Sequence, residues 1–135
     1  MNPEQQILLK QLRTLLNADA VLSAAEAAQR SVGIWDERPV EALALIRPAS
    51  TAELSAVMRL CHAAKQSVVT HGGRTGLVEG CVSSANDIVV SLECMNQIES
   101  VDLAGRYMVV QAGAPLEAAQ DAAEALGLML PLDLG

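Results

Sequence analysis

Leu8, Leu9, Leu12, Leu15 and Leu16 recur at helical spacing between Pro3 and Asn17, with charged and amide residues opposite. That period predicts an amphipathic helix. Ala18 to Arg30 is rich in alanine and helix-prone in part. Gly33 interrupts it, and Trp35-Asp36-Glu37-Arg38-Pro39 reads as a polar connector, with Trp35 packed over a core edge. The short apolar run Ala42 to Ile46 fits a strand closed by Arg47-Pro48. Ser50 and Glu53 have capping-box spacing. Leu54, Val57, Met58, Cys61 and Ala64 follow with a helical period, which predicts a helix over Thr51 to Lys65.

Further strands are predicted at Ser67 to Thr70, Asp87 to Leu92 and Tyr107 to Ala112, where β-branched residues cluster. Gly113 breaks the last of them. Pro115 suits the first turn of a helix whose apolar face is Leu116, Ala119, Ala123 and Leu126. Gly127 is placed to end that helix, and Leu128-Met129-Leu130 resumes an extended run before Pro131. Strands alternating with helices predict an α/β fold containing a parallel β-α-β unit. No internal repeat or low-complexity linker interrupts it.

Composition narrows the chemistry. The 135 residues are 51% hydrophobic, enough for a real core. Trp35 and Tyr107 are the only aromatics, so a site built from several stacked rings is excluded within this chain. A net charge of −7 argues against a nucleic-acid partner. Cys61, Cys81 and Cys94 are odd in number and lack metal-knuckle spacing. With Cys61 on an apolar helix face and Cys94 at a strand end, they read as buried thiols of a reducing compartment. Neither a secretory signal nor a membrane-spanning run is evident, so the expected location is cytoplasmic. No metal site is expected.

The most informative stretch is His71-Gly72-Gly73-Arg74-Thr75-Gly76-Leu77, directly after a predicted strand. Glycines permit positive φ and close approach of a ligand. Successive main-chain N–H groups can converge on an anion, and Arg74 and Thr75 add donors suited to phosphate. The alternative is a glycine-rich turn with an exposed arginine. Neither G-x-x-x-x-G-K-[ST] nor G-x-G-x-x-G is present, so a phosphate site here would belong to another architecture.

Four segments in order carry a resemblance: Arg47-Pro48-Ala49-Ser50-Thr51-Ala52-Glu53-Leu54, Gly72 to Leu77, Leu92-Glu93-Cys94-Met95-Asn96-Gln97-Ile98, and Leu130-Pro131-Leu132-Asp133-Leu134-Gly135. Together they resemble the flavin-binding domain of the vanillyl-alcohol oxidase and p-cresol methylhydroxylase superfamily. The similarity is greatest to the branch of FAD-linked D-lactate dehydrogenases, glycolate oxidases and D-2-hydroxyglutarate dehydrogenases. It covers about Ile34 to Gly135.

The resemblance implies the first subdomain of a PCMH-type FAD-binding domain, a β-α-β core with an N-terminal helix, divided as a helical segment 1–33 and a flavin portion 34–135. It places Gly72, Gly73, Arg74, Thr75, Gly76 and Leu77 at the FAD pyrophosphate, and Pro131, Asp133 and Gly135 on the cofactor side. Arg74 stands where covalently tethered relatives carry a histidine, which implies non-covalent FAD. His71 is expected to be a loop histidine that hydrogen-bonds, His62 a surface residue, Met95 a packing residue and Asn96 a local partner for the backbone. The catalytic residues of this branch come from later sequence, so no catalytic residue is expected here and the chain reads as the front portion of an enzyme. The implied parent is an FAD-linked oxidoreductase of small 2-hydroxy acids. Rival readings are a non-catalytic flavin-domain remnant serving as an interaction module and an oxidase of another alcohol. The chain by itself is expected to be a homo-oligomer, because surfaces meant for later sequence would stay uncovered.

Overall fold

The computed structural model describes residues 1–132. Asn2 starts α1 (Pro3–Leu15): its side chain accepts the Gln5 N–H at 2.8 Å, and Gln5 Oε1 accepts the Asn2 N–H at 2.9 Å. This reciprocal cap satisfies two donors that a helix start otherwise leaves open. Leu8, Leu9 and Leu12 are buried, and α1 packs on α3 (Thr51–Ala63). Leu15, expected on the same face, is exposed. At α3 the Ser50 hydroxyl accepts the Glu53 N–H, but the Glu53 carboxylate reaches past Ser50 to the Ala49 N–H at 2.7 Å.

Strands β1 (Val21–Ser23), β2 (Ala44–Ile46), β3 (Val68–His71) and β4 (Ile88–Ser91) form one sheet in the order β1-β2-β4-β3. Both β2 and β3 run parallel to β4, and β1 runs antiparallel to β2. The expected β-α-β unit is therefore β2-α3-β3, with β4 lying between its strands. Residue alternation sends Ala44, Ile46, Ile88 and Val90 into one cluster with Leu8, Leu12, Leu16, Val57 and Cys61. Leu45 and Val89 point the other way, to Ala27, Val32, Val40 and Ala42. A parallel sheet needs both faces covered, and both are. Each fully buried Leu, Ile or Val contributes about 1.5–3 kcal/mol. Because the three parallel strands share a direction, Ile46, His71 and Ser91 end on one edge.

Several expectations are corrected. The alanine-rich stretch is helical in part, as expected, but it also holds a strand that was not: it divides into a 3-10 turn (Ala18–Ala20), β1 and the single-turn α2 (Ala24–Ala27). The edge of β2 recruits Val21–Ser23 as a strand, and Ser23 with Glu26 caps a new helical start. An unanticipated strand, β5 (Ile98–Asp102), pairs antiparallel with β6 (Tyr107–Val110), with a bulge between Ile98 and Ser100. Only two of its five residues are apolar, too few to display a period. Helix α4 (Leu116–Glu124) follows Pro115, which is its N-cap. It ends at Gly127, whose φ of +70° suits glycine. The N–H groups of Gly127 and Leu128 return to the carbonyls of Glu124 and Ala123, closing a Schellman motif. Residues 128–130 form no strand. Trp35 is 72% exposed, not packed over an edge. Cys61 is buried as expected, but Cys81 is only half-buried and Cys94 exposed, because the chain turns outward after Leu92.

Candidate functional site

The carboxyl edge of the parallel strands is where open α/β sheets receive ligands. The glycine loop leaves that edge directly from β3. Its entry is fixed by His71, which belongs to the strand and not to the loop as expected. The ring is 2% exposed, and Nε2 lies 2.9 Å from the carbonyl oxygen of Cys81, pinning the loop's far end to its start. Burial pushes the His71 pKa below its ordinary value of 6.5, so the ring is neutral.

Among the described residues, the main-chain N–H groups of Gly72, Gly73, Arg74, Thr75 and Gly76 donate no hydrogen bond within the chain. All but Arg74 are exposed. A Cβ built on Gly72 or Gly76 would meet nothing within 4 Å, and one on Gly73 only the Thr75 methyl at 3.8 Å. The absence of side chains is therefore not a need of the protein's own packing. It leaves main-chain donors open to an incoming anion, and the chemistry of the donor set fits a pyrophosphate. The positive φ expected of the glycines falls instead on Arg74, at 57°. The Arg74 guanidinium is half-buried and donates from Nη1 to the Ser31 carbonyl at 2.5 Å. Its own carbonyl accepts the N–H of Ile34 at 3.3 Å.

A cleft of about 360 Å³ opens beside the loop, lined by Trp35, Asp36, Arg38, Gly76, Leu77 and Glu79 among others. Arg38 pairs with Asp36 at 2.6 Å and with Glu79 at 3.3 Å across it. These connector residues gave no signal in the sequence beyond their polarity. Next along the edge, Glu93 binds Arg30 at 2.7 Å and Arg47 at 3.3 Å. Its carboxylate also accepts from the Ser91 hydroxyl at 3.1 Å. The Arg30 guanidinium, helped by Ser91 and Arg47, holds the Glu93 carboxyl down to about 2. Arg47 also donates to the Asp19 carbonyl, while its buried Nε has no partner. Arg47 and Glu93 lie inside two of the four segments that carry the resemblance, yet nothing in the sequence paired them.

Leu77 is exposed at the mouth of the cleft. Pro131 is exposed at the end of a segment that packs on α4, and it does not line the cleft. Asp133 and Gly135 lie outside the described residues. His62 is exposed, as expected. Met95 is buried, while the Asn96 side chain meets that of Gln97 and not the backbone. Among the described residues there is no group of three His, Cys, Asp or Glu side chains suited to a metal, and no helix long and apolar enough to cross a membrane.

A parallel sheet with free main-chain donors on its carboxyl edge is the layout of modules that take phosphorylated cofactors. The chain belongs to the FAD binding domain family, whose pattern matches residues 42–135. FAD is the cofactor of this family. The chain is similar to D-2-hydroxyglutarate dehydrogenase of Xanthomonas citri pv. viticola, with 41% identity over 99 residues, 73% of this chain and 20% of that protein. Mitochondrial D-2-hydroxyglutarate dehydrogenase of Bos taurus is 38% identical over 91 residues, 67% of this chain and 17% of that protein. The crystal structure of p-cresol methylhydroxylase shares the fold, with a TM-score of 0.76 at 19% identity over 100% of this chain and 27% of that one. The chain thus spans about a fifth of the length of the curated relatives it matches. Fold and cofactor stand as the resemblance implied.

Proposed function

We propose that this chain supplies the pyrophosphate-binding part of a flavin-dependent dehydrogenase acting on a D-2-hydroxy acid such as D-2-hydroxyglutarate, D-lactate or glycolate. The observation that carries the reading is the run of free main-chain N–H groups from Gly72 to Gly76. FAD, when bound, supplies hydride acceptance. Gly72, Gly73 and Gly76 leave room for the diphosphate, the main-chain dipoles neutralise its charge, and the Thr75 hydroxyl and Leu77 border it. Pro131, Asp133 and Gly135 are assigned to the cofactor side. No residue of this chain is assigned the proton-transfer step.

Attachment is non-covalent in this reading. The loop itself contains no histidine, and His71 is committed to the Cys81 carbonyl. The free cysteines support a reducing, cytoplasmic location; fractionation of the tagged protein tests this against the mitochondrial location printed in the name of the Bos taurus relative. The 135-residue chain alone self-associates through its uncovered hairpin and α4 face, which light scattering measures directly.

Anaerobic mixing of the protein at its natural length with each of the three acids is the test of function. Bleaching of the flavin by at least one is expected, and bleaching by none sinks the substrate class. Gly73→Val is expected to yield a folded protein with at least about tenfold less bound FAD, because a branched side chain fills the space left for phosphate oxygens. Full flavin content in that variant would remove the loop from the cofactor site.

A further inference from the structure

Residues 30–40 form a small self-bonded strap against the glycine loop. The Val40 N–H donates to the Arg30 carbonyl at 2.9 Å and the Val32 N–H to the Arg38 carbonyl at 2.9 Å. Ser31 and Pro39 pair as an antiparallel bridge between them. The Gly33 N–H closes the tip on the Asp36 carbonyl at 3.1 Å. Val32 and Val40 anchor the strap in the cluster that also holds Leu45 and Val89. Both ends of the strap are therefore tied to the core beneath the sheet.

Arg74 is the place where that rigidity meets the loop. Its guanidinium holds the Ser31 carbonyl, and its carbonyl holds the Ile34 N–H. A Cβ on Gly33 would lie 3.1 Å from the Arg74 carbonyl oxygen, so strap and loop are in close main-chain contact. Between these two bonds Arg74 keeps a left-handed φ of 57°, a conformation uncommon for a residue with a side chain. The N–H groups on either side of it donate to nothing within the described residues.

We infer that Arg74 is a positioning residue for flavin binding: it bolts the glycine loop to the 30–40 strap and so presets the main-chain donors, and its charge is not the phosphate ligand. The inference rests on the FAD reading given above and extends it to the strap, which no part of that reading requires. Preset donors do not have to be ordered when the ligand arrives, and this ordering cost is what the bolt removes.

The experiment uses the protein at its natural length, stripped of flavin, with Gly33→Val, Gly33→Ala, Arg74→Gly and Arg74→Lys. Two quantities are read: backbone order parameters of residues 72–77 from 15N relaxation without flavin, and the Kd for FAD by fluorescence quenching. Gly33→Val changes no charge and no loop residue, yet it pushes the strap off Arg74. It is expected to lower the loop's order parameters and raise the Kd by about tenfold, as the order of the donors is lost. Gly33→Ala is expected to do the same to a smaller degree, and stands in if the valine variant does not fold. Arg74→Gly tolerates the left-handed φ but lacks the bolt, so it matches Gly33→Val. Arg74→Lys retains one donor for the Ser31 carbonyl and recovers most of the affinity. A wild-type Kd in folded Gly33→Val and Gly33→Ala alongside a raised Kd in Arg74→Gly would make Arg74 a direct phosphate ligand and overturn the inference. Unchanged loop order parameters in all four variants would overturn it too. A wild-type protein that takes up no FAD would instead sink the flavin reading, and loop order, measured without flavin, keeps the two failures apart.

Discussion

The four-stranded sheet and the β5–β6 hairpin are both built from short strands with β-branched residues, yet one is dry and the other is wet. Leu45, Ile46, Ile88 and Val89 are wholly buried between two layers. In the hairpin Tyr107 is 58% exposed and Val109 and Val110 at least 40%, while Met129 beyond α4 reaches 81%. Helix α4 buries only Ala119 and Ala123. The sheet finds both of its covering layers within this chain. The hairpin finds one thin layer on one side. Stability is therefore concentrated in the first ninety residues, and the hairpin with α4 is the less covered part.

That contrast can be broken by mutation. Leu45→Ala is expected to cost about 2–5 kcal/mol in urea denaturation, the range for emptying a tightly packed aliphatic site. Val109→Ala should stay within about 0.5 kcal/mol, as substitutions away from a packed core do. Equal costs at the two positions would mean that the hairpin is as well packed as the sheet. Gly113→Ala tests the joint between the two regions. A Cβ there would sit 1.8 Å from the Leu92 carbonyl oxygen, and the Gly113 N–H bonds the Met95 carbonyl at 2.9 Å. An added methyl must lift the hairpin off the sheet, at about 1–3 kcal/mol of overpacking. Amide exchange should show the loss in residues 98–124 before any loss in β2 or β4.

The smallest effects are electrostatic and belong to the carboxyl edge. Glu93 is held at about 2 against an ordinary 4.5, so the fold favours its ionised form. Its contribution is complete above pH 4.5 and disappears as pH falls from about 4.5 to about 2, the window set by those two values. Glu93→Gln should flatten the acid limb of a stability–pH curve, by a modest amount because the pair is partly solvated. His71 acts at milder acidity. Its folded pKa lies below 6.5, so the unfolded chain takes up a proton first and stability falls as pH drops below 6.5. His71→Gln should remove that limb. A stability curve unaltered by either substitution would mean that neither group shapes the edge.

Local signals in the sequence were read correctly where the controlling partner lies within a few residues. Ser50 acts on the N–H group three positions on, and Gly127 turns the chain by its own φ. The apolar runs of β2 and β4 mark strands buried on both faces because every residue of such a strand meets hydrocarbon. The glycine loop was legible as an exposed turn spare of side chains, and its main-chain donors are indeed unbonded among the described residues. Other features depend on distant residues. Val21–Ser23 is a strand because β2 offers an edge some twenty residues away, and β5 exists because β6 pairs with it. Arg74 was legible as a cation beside phosphate donors, but its contact is the Ser31 carbonyl, 43 positions back. Glu93 finds Arg47 and Arg30 at separations of 46 and 63. Short-range geometry is written residue by residue into the chain, so the sequence by itself determined the caps, the buried strands and the free donors. Which side chain meets which across the carboxyl edge follows from how three parallel strands align their ends, and the tertiary structure alone decided that.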